Sequence, residues 1–267
     1  MKKKSREVNI FSMSALDLFA SAMGAFMLLA VIALPFFGNT SSTPPQKCPE
    51  VEVKKCPKVE CPKVTCPKVT AKPFKNVDLV IVLDISGSME KQLNFLKSDI
   101  RGIGQLLGSL SESSAIRVVV FGDDGFSKPV TAFPLTPVNQ LSRLQGYVDS
   151  ITLNLGMGSG KNTLSGESVY GGTSEALNTS WRSQTDVKSV VIITDDEPHP
   201  GQSSLLNNAV AQFSRTPNER VSVFFTGNNK ANLESYYEQL ARSGKGSFFN
   251  ANSTSMTAGI ILSLIDK

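Results

Sequence analysis

The stretch Val77-Asp78-Leu79-Val80-Ile81-Val82-Leu83-Asp84-Ile85-Ser86-Gly87-Ser88 decides how this 267-residue chain is read. From Leu79 to Leu83 both strand parities are apolar, the pattern of a central strand in a parallel sheet covered by helices on both faces. The strand ends in an acid. The D-x-S-x-S run then places a carboxylate and two hydroxyls, those of Asp84, Ser86 and Ser88, at alternate positions where the chain turns. In parallel sheets ligands bind outside the carboxyl ends of the strands. An all-oxygen donor set with room for water suits a hard divalent cation, magnesium first and manganese or calcium as alternatives. The same five residues could instead form a Ser/Gly turn that caps the next helix, so the rest of the chain has to discriminate.

Ser189-Val190-Val191-Ile192-Ile193-Thr194-Asp195 is a second buried-type strand ending in an acid. The following Asp196-Glu197-Pro198-His199-Pro200 cannot continue it. With D-x-S-x-S and this second acid in place, the chain resembles the von Willebrand factor type A family. The metal-ion-dependent adhesion site of that family joins D-x-S-x-S to a threonine and an aspartate from two later loops. The resemblance implies that Asp84, Ser86, Ser88 and Asp195 hold the cation, directly or through water, with a threonine beside them and a carboxylate from an outer protein ligand completing the shell. Two threonines compete. Thr163 lies in the Gly-rich loop Gly156 to Thr163, and Thr173 lies in Gly171-Gly172-Thr173. The fold needs a helix between the threonine and the strand of Asp195, and Glu167 to Trp181 has its periodicity, with Val169, Ala176 and Leu177 on one side. Choosing Thr173 would leave about two turns, too few to pack well, so Thr163 is preferred and Thr173 is the alternative. The run Glu167-Ser168-Val169-Tyr170, with Trp181-Arg182 and Pro198-His199, also resembles a bacterial subgroup in which this helix follows the metal loop.

Around these motifs the expected order is β-α-β-β-α-α-β-α-β-α-β-α. Strands are expected near 77–84, 115–121, 129–133, 189–194, 221–226 and 247–250, and helices near 90–110, 138–151, 167–181, 203–213, 231–243 and 255–265. Such alternation indicates an α/β fold, a doubly wound, mostly parallel, Rossmann-like sheet over residues 76–267. The segment at Pro129 reads as an antiparallel edge.

The N-terminus carries a second signal. Lys2, Lys3, Lys4 and Arg6 precede an uncharged run from Leu18 to Phe37, long enough to cross a hydrocarbon core of about 30 Å. The basic flank places residues 1–15 in the cytoplasm and the bulk of the chain outside. This reading gives one transmembrane helix at 16–37 in a bacterial inner membrane. The run is too long for a cleaved signal peptide, and no A-x-A site follows it. Asp17 stands at the cytoplasmic end of the run, and Ala20, Ser21, Gly24 and Ala25 supply small residues for close helix packing. An acid there could equally cap the helix. From Glu7-Val8-Asn9-Ile10 through Asp17 into the apolar run, the chain resembles B subunits of ion-driven motors, the flagellar stator and the Tol/Exb energisers. That resemblance implies that Asp17 carries protons or sodium, that two copies stand side by side, and that a polytopic A-type channel subunit surrounds them. The outer domain departs from those families, and a plain tethered adhesion or scaffold protein is the alternative.

Between span and domain, residues 38–75 repeat a Cys-Pro-Lys-Val unit at Cys56, Cys61 and Cys66, with Cys48 before them, and these are all four cysteines of the chain. Proline at every fifth residue favours an extended, semi-rigid linker. In an extended chain neighbouring cysteines are too far apart to bridge each other, so in-register disulfides between two copies are preferred. A four-thiolate zinc site is the alternative, although the usual C-x2-C pairs are missing.

The net charge of +4 belongs to the tail and linker. Residues 76–267 carry fifteen basic and eighteen acidic side chains, which argues against a nucleic-acid partner. Gly158-Ser159-Gly160-Lys161 is not a phosphate loop, because Leu155 and Asn162 occupy positions that need Gly and Ser or Thr. His199 is the single histidine and sits in a Pro-rich turn without a Cys or Ser arranged as a nucleophile. It reads as a structural or metal-adjacent loop residue, and the chain as a binding protein, not an enzyme.

Overall fold

The computed structural model describes residues 72–123, 128–154, 165–228 and 230–265. The chain divides into two units, Met1–Thr65 and Cys66–Lys267, and all the described residues belong to the second. The expected span and tail, most of the linker, Asp17, the four cysteines and Thr163 therefore lie outside the described residues. Among the described residues, no helix is long and apolar enough to cross a membrane.

The sheet is built around β1 (Phe74–Asp84), which pairs in parallel with β2 (Ser111–Phe121) on one side and β5 (Val187–Thr194) on the other. Beyond β5 follow β6 (Glu219–Phe225) and β7 (Lys245–Asn250), both parallel. On the far margin of β2 run two short antiparallel pieces, β3 (Val130–Ala132) and β4 (Thr136–Pro137). Pro134 and Pro137 cannot donate to a ladder, which keeps this edge short and broken. The order β3-β2-β1-β5-β6-β7 means that the chain winds outward from β1 and then restarts at β5 in the opposite direction. The C-terminal ends of β1 and β5 thus flank the switch point, where doubly wound sheets bind their ligands.

Period-two alternation splits the core into two layers. Val77, Leu79, Ile81 and Leu83 of β1 face α1 (Glu90–Leu110), α2 (Leu141–Ser150) and α6 (Met256–Ile265). Val80 and Val82 face α3 (Val169–Leu177), α4 (Ser203–Phe213) and α5 (Ala231–Ser243). The buried side of α1 is Leu93, Leu96, Ile100, Ile103 and Leu107, spaced by three and four as one helix face requires.

Asp78 and Asp84 share the parity of Val80 and Val82, and both are fully buried. Asp78, near the start of β1, has a complete set of donors. Arg182 Nε bonds its Oδ1 at 2.5 Å, and the Arg182 amide and Thr185 Oγ1 bond its Oδ2 at 3.1 and 3.2 Å. Asp84, at the other end, has no cation of this kind among the described residues.

The expected elements are present, with corrections at the loops. The helix expected over 138–151 is a 3-10 turn, Val138–Gln140, followed by α2. The helix expected over Glu167–Trp181 is shorter, spanning Val169–Leu177. Glu167 is taken up by a backbone bridge to Pro198, and at the other end Thr179 Oγ1 and Trp181 Nε1 bond the carbonyls of Ala176 and Leu177, which satisfies the last turn in place of further helix. The two-residue β4 had no sequence signal. At the opposite margin, the β6–β7 register shifts between Val221 and Val223, and Lys245 has φ +51°.

Replacing Arg182 by Ala would leave Asp78 charged and buried without its guanidinium. The expected loss is about 3 kcal/mol, read as a lower urea midpoint, and a midpoint within error of wild type would show that Asp78 does not depend on this pair.

Candidate metal site at the end of the central strand

Ile85 follows β1 out of the sheet. Its amide bonds Phe121 O at 2.8 Å and its carbonyl accepts the Asn154 amide at 2.8 Å, so the turn after Asp84 is held between β2 and the chain leaving α2. The turn then tightens, with the Met89 amide bonding Ser86 O at 3.0 Å, and Met89 buries its side chain before α1 begins. This geometry turns Ser86 and Ser88 to the same side, where their hydroxyls lie 3.2 Å apart. Asp84 Oδ1 accepts the Ser86 amide at 2.8 Å, and Oδ2 accepts Thr194 Oγ1 at 2.8 Å. The D-x-S-x-S segment is thus an oxygen-lined turn with Asp84 at its floor.

Asp195 arrives from the neighbouring strand. Leu83 is in register with Ile193, so Thr194 stands beside Asp84 and Asp195 follows it at the rim. The loop is fixed by Tyr237, whose hydroxyl donates to Asp196 O at 2.5 Å, and by Lys230, whose ammonium bonds Asp195 O at 2.9 Å and Asp196 Oδ1 at 3.0 Å. Asp195 Oδ1 is buried and has no hydrogen-bond partner among the described residues. A buried carboxylate oxygen without a donor is costly unless a cation faces it.

Three of the expected site residues, Asp84, Ser86 and Ser88, form one hydrogen-bonded turn, and Asp195 follows Thr194, the residue that bonds Asp84. Thr163 lies outside the described residues. The alternative, Thr173, sits inside α3 and is fully buried, its Oγ1 without a hydrogen-bond partner among the described residues. His199 is also buried, its Nδ1 3.1 Å from Ser165 O, in keeping with a structural loop residue.

Glu167, which the sequence reading did not single out, is an acid near these groups. Gly166, with φ +79°, brings this segment so close to the β5–α4 loop that a Cβ there would lie 2.6 Å from Glu197 O. Any other residue would be strained in both respects. Glu167 Oε2 is buried without a hydrogen-bond partner. The sequence signal for this was faint, a Gly-Glu pair just before a helix.

The electrostatics reflect this crowding of acids. Burial pushes the Asp84 carboxyl up to about 7, against the pull of hydrogen bonds from Ser86 and Thr194, and Asp195 adds to the rise. Burial also raises Glu167 to about 8, reinforced by the charges of Asp84, Asp123, Asp196 and Asp195. Among the described residues no three His, Cys, Asp or Glu side chains converge on one point. A cation here would therefore be held by hydroxyls and waters together with carboxylates, which suits a hard divalent ion that keeps part of its hydration.

The family match accords with this geometry. The model of the von Willebrand factor type A domain matches residues 78–261, and the chain belongs to that family. Among solved structures, the pilus adhesin SpaC of Lactobacillus rhamnosus GG, in its open conformation, has a TM-score of 0.52 at 13% identity, over 72% of this chain and 29% of the adhesin. Proximal thread matrix protein 1 of the mussel byssus, solved with a zinc-occupied metal-ion-dependent adhesion site, has a TM-score of 0.51 at 18% identity, over 72% of this chain and 46% of that protein. The chain thus spans less than half the length of these structures, and the likeness is one of fold. No curated protein matches the chain.

The raised carboxyls fix the sign of a pH effect. For Asp84 the unfolded chain titrates near 3.8 and the folded chain near 7, so between these values the folded state binds more protons and its stability falls as pH rises. Glu167 acts in the same direction up to about pH 8. In chelator, the contribution of Asp84 to stability, on the order of 2–4 kcal/mol, should be fully present below about pH 4 and lost by pH 8. Asp84→Asn should flatten most of this slope in urea melts at a series of pH values. An unchanged slope would mean that Asp84 is not the titrating floor of the site.

Proposed function

We propose that this chain is a metal-dependent binding protein in which Asp84, Ser86, Ser88 and Asp195, with Thr163, hold one divalent cation that receives a carboxylate from a partner protein. The observation that carries this reading is the buried Asp84 carboxyl, bonded among the described residues by Ser86 and Thr194 alone at the switch point of the sheet, with the unpartnered Asp195 oxygen beside it. The donors are all oxygen, which favours magnesium, with manganese or calcium as substitutes. When bound, the ion supplies a Lewis-acid position open to an outside oxygen ligand. The chain's own residues do the rest: Asp84 and Asp195 neutralise the ion, the serine hydroxyls orient it, and the Lys230 and Tyr237 contacts keep the Asp195 loop in place. The two similar structures are an adhesin and a thread matrix protein, and both names accord with a binding role. The uncharged run from Leu18 to Phe37 would anchor this head in a bacterial inner membrane, with the domain outside and the Cys-Pro-Lys-Val linker joining two copies.

Magnesium or manganese should raise the melting temperature of the wild-type chain by mass action, about 2.7 kcal/mol at one hundred times Kd, or roughly 5–10 °C for a domain of this size. Asp84→Ala should abolish the shift. No shift in the wild type at millimolar metal would end the metal-dependent reading.

Asp17 favours a second reading, that the chain is the B-type subunit of a proton- or sodium-driven motor partnered by a polytopic A-type subunit. The family match begins at Asp78, so this rests on the N-terminal sequence alone. In cells, Asp17→Asn should abolish ion-dependent function while membrane levels stay constant, and full function of that variant would leave only the tethered binding protein.

A further inference from the structure

We propose that the heads of two copies of this chain dock on each other through the outer face of α6 and the adjoining end of α1. The tether in this argument rests on the linker reading above, whereas the face itself is read from the structure.

Helix α6 carries no charged residue from Met256 to Ile265, and it buries Met256, Gly259, Ile260, Ser263 and Leu264. A helix this apolar is normally covered on all sides, yet Leu262 and Ile265 are exposed. The other surface helices behave differently: α1 turns Lys91 and Arg101 to solvent, and α5 turns Glu238 and Arg242. The described residues expose four large apolar side chains, Leu106, Leu205, Leu262 and Ile265, and three of them come together. Helices α1 and α6 pack side by side, and they start together, since Gln92 and Phe95 line one cavity with Met256. Each follows a strand of the parallel set, so they run in the same direction. Leu106 lies three helical turns beyond Phe95 and points to the same side, toward α6. That puts it roughly 16 Å along α1 from Phe95, level with Ile265 at roughly 14 Å along α6 from Met256. Leu205 stands apart on α4, in the opposite layer. Apolar side chains scattered singly over a surface need no explanation, whereas a cluster marks a contact.

The position of the face says what covers it. It lies at the base of the domain, away from the metal site. The Ser263 hydroxyl is 3.2 Å from that of Ser189 near the start of β5, and Arg220 Nη1 bonds Leu264 O at 3.2 Å near the start of β6. The chain enters at this same end. Lys72 Nζ bonds Gly108 O at 2.5 Å and Ser111 O at 2.9 Å, and Phe74 stands opposite Ser111 and packs into the core layer of α6. From Lys72 back to Cys66 the chain can reach no more than about 20 Å, so two copies bridged there hold their bases close together. So short a tether gives an effective concentration in roughly the millimolar range, at which a modest apolar contact docks the heads. A twofold axis lets the same patch serve on both sides. Lipid is the poorer occupant, because residues 38–71 separate the apolar N-terminal run from the domain and their proline spacing favours an extended spacer.

The test is photochemical cross-linking of the purified full chain in lipid vesicles, with benzoylphenylalanine placed at Leu262 or, as the control, at the equally exposed Leu205. Reducing gels remove linker disulfides, so the remaining dimer is photochemical. The probe at Leu262 should give about tenfold more dimer than the probe at Leu205, and Leu106→Glu combined with Ile265→Glu should lower the Leu262 yield by about tenfold, with melting curves confirming folding. A Leu262 yield no higher than that at Leu205, a yield indifferent to the two glutamates, or lipid adducts in place of dimer would each overturn the assignment. Non-reducing gels of the wild type separate the two readings. If they show no disulfide dimer while Leu262 still cross-links, the linker reading falls and the face stands. If the disulfide dimer is present and Leu262 is silent, the face alone falls.

Discussion

The structure depends on a carboxyl group buried at the end of its central strand without a positive partner among the described residues. β1 carries two fully buried acids on the same face, six residues apart, and the contrast between them is instructive. Asp78 is matched by Arg182 and a threonine, so its charge is answered within the fold. Asp84 receives only neutral donors from Ser86 and Thr194 among the described residues, and burial raises its carboxyl to about 7. A fold that only needed a satisfied core would place a valine or an isoleucine there, as it does at Val80 and Val82. The acid is tolerated because the surrounding sheet, apolar on both faces, is stable enough to hold a locally unfavourable group.

Topology explains why the unfavourable group is at this end. The chain leaves β1 toward β2 and re-enters the sheet at β5, so two loops diverge above the carboxyl ends of β1 and β5 and leave a crevice between them. Each wall of that crevice is held by the backbone: the D-x-S-x-S turn by Phe121 and Asn154, the Asp195 loop by Lys230 and Tyr237, and the head of α3 by Gly122, Glu197 and His199. Acids delivered by such fixed walls cannot move apart to relieve their repulsion, and they keep their positions for an ion.

Much of this was legible in the sequence because it is local. The apolar runs before Asp84 and Asp195 gave both strands and both acids, and three- and four-residue spacing gave α1, α4 and α5 their limits. What was illegible is non-local. Glu167 looked like the first residue of a helix because its sequence neighbours are helical, whereas its backbone is claimed by Glu197 and His199, about thirty residues further along the chain. For the same reason Glu167–Trp181 was read as one helix when its ends are set by tertiary hydrogen bonds. The threonine question turned on helix length, and the helix proved short in any case. Thr173 is buried inside that helix with a hydroxyl unpartnered among the described residues, so helix length does not decide between the two threonines.

The two margins of the sheet are built differently from its centre. On one side β3 and β4 are fragments separated by proline, and on the other β7 joins β6 through a register slip and begins with a lysine in a left-handed conformation. A straight row of free amides and carbonyls is what lets one sheet grow onto another, and irregular margins deny that template. Copies of this domain crowded together would therefore meet through their side chains and their loops, and the head could be displayed at high local concentration without seeding fibrous assemblies.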